Sequence, residues 1–165
     1  MQTDMRRDMQ ADKRTDRNTS KTKPAARKIE PAICNCLALR QASRHATTLY
    51  DRHLAPEGIS TAQYSILAKL ERLGPQSINA LAAMMVMDRT TTTRAVRPLA
   101  RDGLVAIAPG HDERTRMVRL TAAGEKRVKS AAVRWRAAQK EFETGYGAGA
   151  AEKLRQELAR VVGAT

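Results

Sequence analysis

Residues 88–102 combine guanidinium and hydroxyl side chains in a pattern suited to contacting nucleic acid. Four consecutive threonines follow Arg89, although threonine is β-branched and a poor helix former. In a helix, steps of three and four residues bring one polar set onto a single face, which comprises Thr90, Thr93, Arg94, Arg97 and Arg101. Arginine suits guanine edges and phosphates, and threonine offers a hydroxyl and a methyl group. The segment therefore favours a recognition helix over a merely solvated basic face.

A second basic segment follows directly along the chain. Two short, partly β-branched runs, 104–108 and 117–120, flank a polar stretch that opens with Pro109-Gly110, a pattern typical of a β-hairpin. An arginine at the tip, Arg114, suits a minor groove, whose negative potential attracts guanidinium groups, and Asp112 is spaced to orient it. The alternative is an exposed hairpin with incidental charge. The candidate DNA-binding residues of both segments are Arg89, Thr90, Thr91, Thr93, Arg94, Arg97, Asp112, Arg114 and Arg116.

The two cysteines, Cys34 and Cys36, are the candidate redox groups. A thiol near a helix N-terminus and beside cationic groups is prone to oxidation. The alternative is that Cys36 only packs in an interface, since free cysteine is among the most buried residue types. A Cys-x-x-Cys motif, a glycine-rich phosphate loop and a serine elbow are all missing from the sequence. The histidines show no metal-ligand spacing, so we expect neither an enzyme nor a metal or cofactor site.

Helices must position most of these groups. Apolar periodicity predicts a first helix to about Leu54, a second after Ser60 and a short third after Ser77. Asp88 is the expected cap of the fourth helix, and Thr121 that of a long fifth one. A last helix follows three glycines that are expected to break the fifth, namely Gly145, Gly147 and Gly149.

Composition narrows the class of protein. The 30 Lys and Arg residues against 17 Asp and Glu residues give a net charge of +13, so polyanions are the first expected partners. Aromatic residues amount to 3%, too few for base-stacking platforms. No apolar run is long enough for a membrane span and no secretory signal is visible, which favours a cytoplasmic protein. Residues 1–30 are predicted to be a disordered basic tail, and 31–165 a single domain.

From about Cys34 to its C-terminus, the chain resembles the MarR family of winged helix-turn-helix transcriptional regulators. The motifs that carry the resemblance are Gly58-Ile-Ser-Thr-Ala-Gln-Tyr64, Asp88-Arg-Thr-Thr-Thr-Thr-Arg94, Leu99-Ala-Arg-Asp-Gly-Leu-Val105, Asp112-Glu-Arg114 and Leu120-Thr-Ala-Ala-Gly124. The resemblance implies a mostly α fold with a small β-hairpin. It places a DNA-binding lobe at about 60–120 and dimerisation helices at about 31–55 and 121–163. It also implies a homodimeric repressor on a palindromic double-stranded DNA operator, with recognition helices ~34 Å apart.

The resemblance further implies an input signal that releases DNA. Residues 36–44, with Tyr50, are similar to the organic hydroperoxide-sensing branch, in which the cysteine is the sensor and the tyrosine reaches it from the partner subunit. Arg40 replaces the second sensing tyrosine of that branch. The other input is a small apolar or aromatic acid in a cleft between the first, second and fifth helices. Its candidate lining residues are Arg44, His45 and Tyr64.

Two other classes of protein remain open at this point. A sequence-neutral architectural DNA-binding protein is compatible with the +13 charge and the basic tail. A thiol-dependent redox enzyme that uses Cys34 and Cys36 is the weaker alternative.

Overall fold

The computed structural model describes residues 33–110 and 115–163. The predicted tail at 1–30 and the predicted hairpin tip at 111–114 lie outside these residues. The elements in chain order are α1 (Asn35–Leu54), a 3₁₀ turn (Ala55–Glu57), α2 (Thr61–Leu73), β1 (Gln76–Ser77), α3 (Ile78–Met85), α4 (Arg89–Arg101), β2 (Val105–Pro109), β3 (Arg116–Leu120), α5 (Ala122–Tyr146) and α6 (Ala148–Gly163). The prediction of a mostly helical fold with a small β-hairpin is confirmed. Within the described ranges, no helix is long and apolar enough to cross a membrane.

Side-chain caps fix where four of the helices begin. Ser60 and Gln63 form a capping box at the start of α2, as their spacing predicts. The side chains of Ser77, Asp88 and Thr121 each accept a hydrogen bond from the backbone N–H three residues later. These local bonds confirm the predicted starts of α3, α4 and α5.

The sheet has three strands in the order β1-β3-β2, and both pairings are antiparallel. The hairpin of β2 and β3 pairs Val105 with Leu120 at its base and Pro109 with Arg116 towards its tip. The sequence did not predict β1, which is two residues long and pairs with β3 at Val118 and Met117. Through β1, the start of α3 is joined to the middle of β3.

The core holds α4 by one side only. Its buried residues are Thr92, Val96 and Leu99, which are 0% exposed and belong to one helical stripe. They pack α4 against α2 and α3. Fully burying an aliphatic side chain of this size stabilises a fold by about 1.5–3 kcal/mol. This apolar anchor leaves the opposite face of α4 on the surface.

The joint between α5 and α6 differs from the prediction of three helix-breaking glycines. Only Gly147 separates the two helices, with a φ of 95° that favours glycine. Gly145 lies inside α5 and Gly149 inside α6. In α6, Ala151 is the buried residue, and most of the helix beyond Leu154 is exposed.

Candidate nucleic-acid interface

The start of α4 is held by a double hydrogen bond to Asp88. Its carboxylate accepts from the Thr91 amide at 2.8 Å and from the Thr91 hydroxyl at 2.6 Å. The bond from the Thr91 hydroxyl, followed by the bond from its amide, lowers the pKa of Asp88. Thr91 was predicted to contact DNA, and its hydroxyl is used here to cap the helix.

Two further threonine hydroxyls bond to the backbone of α4. The buried Thr92 donates to the carbonyl of Asp88 at 2.9 Å, and Thr93 donates to the carbonyl of Arg89 at 2.8 Å. Such bonds from threonine to the carbonyl four residues earlier satisfy the hydroxyl within the helix. They explain how a run of poor helix formers is accommodated in a helix.

The exposed face of α4 is a shallow basic concavity. The residues that line it are Arg89, Thr90, Thr93, Arg94 and Arg97. Among residues 33–110 and 115–163, no carboxylate forms an ion pair with these three arginines. Arg101, nearer the C-terminal end of the same helix, is paired with Asp102 at 3.0 Å. Six α4 residues belong to the predicted DNA-binding set. Five of them line this concavity, and Thr91 does not.

The hairpin places a second arginine near its tip. Gly110 donates its amide to the carbonyl of Thr115 at 2.8 Å, which closes the described part of the hairpin. Arg116 follows at the start of β3 and is exposed. Asp112 and Arg114 lie outside the described residues, so their role at the tip stays a prediction.

A close contact fixes the hairpin to α5. A Cβ atom built on Gly124 would lie 2.0 Å from the carbonyl oxygen of Leu104, which begins the hairpin. The amide of Thr121 donates to that same carbonyl, and the hydroxyl of Thr121 donates to the carbonyl of Gly103. Only glycine permits this approach, which sets the hairpin relative to α5 and, through Gly103, to the end of α4.

The two cysteines lie at the start of α1, and both are exposed in the single chain. Tyr50 is on the same helix, and fourteen residues correspond to about 21 Å along a helix axis. The side chains of Cys36 and Tyr50 in one chain are therefore too far apart along α1 to be in contact.

Tyr50 belongs to a hydrogen-bonded chain that links α1, α5 and α6. Its hydroxyl donates to the amide oxygen of Gln139, and the amide nitrogen of Gln139 donates to Glu143 at 2.7 Å. Arg155 donates to the same carboxylate at 3.1 Å. Burial, followed by the charge of Glu143, raises the pKa of Tyr50. The bond from Gln139, followed by that from Arg155, lowers the pKa of Glu143.

A cavity of about 640 Å³ lies beside this chain, between α1, α5 and α6. Its apolar wall includes Leu39, Phe142, Tyr146, Leu154 and Leu158, and its polar groups include His45, Tyr50, Gln139 and Arg155. The predicted pocket residues are not grouped here. His45 lines the cavity, whereas Arg44 is exposed on α1 and Tyr64 is buried in the core, stacked on Trp135 at 6.1 Å. The cleft predicted between the first, second and fifth helices stays a prediction, and the cavity described here lies between α1, α5 and α6.

Comparison with known proteins assigns the family. The family model described as MarR matches residues 59–114. The solved structure of the M. tuberculosis transcriptional regulator MosR in complex with DNA is 34% identical to this chain. It has a TM-score of 0.73, and the match covers 79% of this chain and 95% of that one. The chain belongs to the MarR family. As its homologues and structural neighbours are transcriptional regulators, it is a regulator and not an enzyme, which removes the redox-enzyme alternative.

Two more distant matches agree with this MarR-family assignment. YwoH of Bacillus subtilis, an HTH-type transcriptional regulator, is 28% identical over 91 residues, which are 55% of this chain and 66% of that protein. A mutant of E. coli MarR complexed with operator DNA is 20% identical, with a TM-score of 0.69 and coverage of 76% and 91% of the two chains. At that identity, the second match shows the winged-helix fold alone.

Sequence reasoning missed several groups of this MarR-family chain. Gln139, Glu143 and Arg155 were not singled out, since their hydrogen-bonded chain depends on the packing of α5 against α1 and of α6 against α5. One signal is present in the sequence, because Phe142, Leu154 and Leu158 fall on the apolar stripes of the two predicted helices. Two apolar stripes joined by a glycine-rich turn indicate that the apolar faces of the two helices line a common space.

Proposed function

We propose that this MarR-family regulator is a homodimeric repressor that binds a palindromic operator in cytoplasmic double-stranded DNA. The observation that carries the proposal is the basic concavity on α4, where Arg89, Arg94 and Arg97 form no ion pair with a described carboxylate. Guanidinium groups that make no internal ion pair are suited to phosphate oxygens and guanine edges.

The geometry of α4 supports major-groove binding. The buried stripe of α4 is on one side of the helix and the basic residues are on the other, so the basic face is open to a ligand. Thirteen residues form a helix of about 20 Å, and a B-DNA major groove is about 12 Å wide. The MosR structure contains DNA, which supports the same assignment for this chain.

The hairpin is proposed to contact the neighbouring minor groove. Arg116 is exposed near the described end of the hairpin, and Arg114 stands between β2 and β3 in the sequence. Arginine is favoured in narrow minor grooves because their negative potential is strong. Asp112 is proposed to orient Arg114 within the tip.

Exposed apolar residues on α1 and α6 support dimerisation. Leu37 and Leu39 near the start of α1 are 45% and 40% exposed, and Val161 on α6 is 54% exposed. Ile33, just before α1, is fully exposed. Several exposed apolar residues on two helices favour an association surface. A second copy of the chain, related by a two-fold axis, is the proposed occupant, and the axis matches a palindromic operator.

Two routes of release from the operator are proposed, as the exposed thiols support one and the cavity supports the other. In the first, the Cys36 thiolate attacks a peroxide, the O–O bond breaks, and a sulfenic acid forms as an alcohol or water leaves. Cys34 or a small thiol then forms a disulfide with loss of water. In the second, a small apolar or aromatic acid occupies the cavity, where Arg155 exchanges its bond to Glu143 for one to the acid, and His45 and Tyr50 supply polar groups.

Footprinting on the DNA that flanks its own gene tests operator binding. We expect a discrete protected palindrome, whereas uniform coverage would instead indicate an architectural DNA-binding protein. Titration with peroxide, under reducing and non-reducing conditions, then tests release in the wild type and in Cys36→Ser. Loss of binding in the wild type alone supports the thiol route. Intact binding with peroxide and loss with an aromatic acid would assign the input to the cavity.

A further inference from the structure

Three of the four threonine hydroxyls of α4 have no proton left to donate to a base. A threonine hydroxyl carries one proton. Those of Thr91, Thr92 and Thr93 are donated to Asp88 and to the carbonyls of Asp88 and Arg89, at 2.6–2.9 Å. Each of these side chains therefore presents its methyl group and an oxygen lone pair to its surroundings.

Thr93 is the one of these three that faces the basic concavity. Thr92 is buried in the core, and Thr91 is held in the cap by both its amide and its hydroxyl. Thr93 is partly exposed and lies among Arg89, Arg94 and Arg97 on the lining of the concavity. Its methyl group is thus an apolar group within a set of hydrogen-bond donors.

The major groove offers one apolar group among its base edges, the C5-methyl of thymine. We propose that Thr93 is a specificity-determining residue that recognises a thymine through contact between the two methyl groups and not through its hydroxyl. The inference rests on the proposed binding of α4 in the major groove. It assigns guanine edges and phosphates to the arginines and a thymine to the residue between them.

The internal hydrogen bond explains why threonine suits this task. When DNA covers the surface, a hydroxyl without a partner weakens binding because it loses its water. The hydroxyl of Thr93 already donates a hydrogen bond to the carbonyl of Arg89. The side chain can therefore be covered by DNA without leaving this donor unpaired. Valine has the same shape but places a second apolar group on the surface of the free protein.

Deoxyuridine is the probe for this contact, because it removes the thymine methyl and leaves every hydrogen-bonding group unchanged. Each thymine of the footprinted operator is replaced by deoxyuridine at its two symmetric positions, and the affinity is measured at constant salt. We expect one symmetric pair at which wild-type affinity falls about fourfold per half-site, the effect of one buried methyl group. Other thymines serve as internal controls.

Variants of Thr93 separate the methyl group from the hydroxyl. Thr93→Val keeps the methyl and should retain both wild-type affinity and the deoxyuridine effect. Thr93→Ser keeps the hydroxyl and should lose about fourfold per half-site on thymine, with no further loss on deoxyuridine at that pair. The matched control Arg94→Ala should bind more weakly and still respond to deoxyuridine.

Three outcomes overturn the inference. Wild-type affinity that is insensitive to deoxyuridine at every position excludes a methyl contact. Weak binding by Thr93→Val together with normal binding by Thr93→Ser assigns the contact to the hydroxyl. In both cases a discrete footprint persists, so the proposed function stands. A protein that gives no discrete footprint overturns the proposed function and this inference together.

Discussion

Asp88 determines how α4 presents itself to a ligand. Its carboxylate lies at the positive N-terminal end of the helix and accepts hydrogen bonds from the amide and the hydroxyl of Thr91. A helix terminus capped by an internal carboxylate does not attract a phosphate. If α4 binds DNA as proposed, the arginines of the concavity are therefore the groups expected to neutralise the DNA backbone at this helix.

The Asp88 cap is expected to make stability depend on pH. Its pKa is lowered from 3.8 in the folded chain, so its ionised form stabilises the fold above that value, and this contribution disappears as the pH falls through the lowered folded pKa. Urea unfolding should find the wild type more stable than Asp88→Asn at pH 7, with a difference that shrinks below pH 3.8. Glu141 and Glu143 titrate equally in both proteins and cancel. A difference that does not change with pH would contradict the assignment.

Arg94 and Arg101 lie on one helix but are expected to differ in function. Arg94 lines the concavity without a described carboxylate partner, and Arg101 is paired with Asp102. Replacing Arg94 by Ala should weaken operator binding by about 1–3 kcal/mol if it contacts a base. Arg101→Ala removes the same charge and should cost less at equal salt. Fluorescence anisotropy with operator DNA measures the affinity of both variants. Equal losses of affinity would show that only the net charge matters.

At the scale of elements, the sequence predicts what local bonds and periodicity determine. The starts of α2, α3, α4 and α5 follow from caps within four residues, so they were predictable. Strand β1 was missed because two residues are too few to show the alternation of a strand. Its extended conformation depends on pairing with β3. The cavity between α1, α5 and α6 was not predicted, because it depends on how α6 packs against α5, which is a tertiary contact. Gly145 and Gly149 remain in helices, each one residue from the helix end at this joint, where glycine costs less than in a helix interior.

The junction of the hairpin with α5 provides a test of positioning. Gly124→Ala would place its Cβ against the carbonyl oxygen of Leu104, which is backbone and cannot swing aside. Such overpacking should destabilise the fold by about 1–3 kcal/mol, and operator affinity should fall as the hairpin shifts. Gly145→Ala is the matched control on the same helix. Its Cβ would enter open space, so stability should rise by about 0.5–1 kcal/mol without a change in binding.

The net charge of +13 acts at the scale of the whole molecule. It attracts DNA of any sequence and makes affinity fall with salt, because bound phosphates release counterions. It also opposes association of two copies, since like charges repel. The proposed dimer would therefore have to be held by apolar surface, and the exposed groups of α1 and α6 are described residues suited to it.

That argument predicts which surface residues control assembly. Val161→Glu places a charge on the exposed face of α6, where the single chain tolerates it but an apolar dimer interface does not. Sedimentation should find a monomer that binds the palindromic operator far more weakly than the wild type, because two half-sites are no longer engaged by one particle. Ile107→Glu changes an exposed apolar residue of the hairpin and should leave the dimer intact. A Val161→Glu protein that remains a dimer with a wild-type unfolding midpoint would exclude this part of α6 from the interface. Assembly would then have to rest on the start of α1 alone.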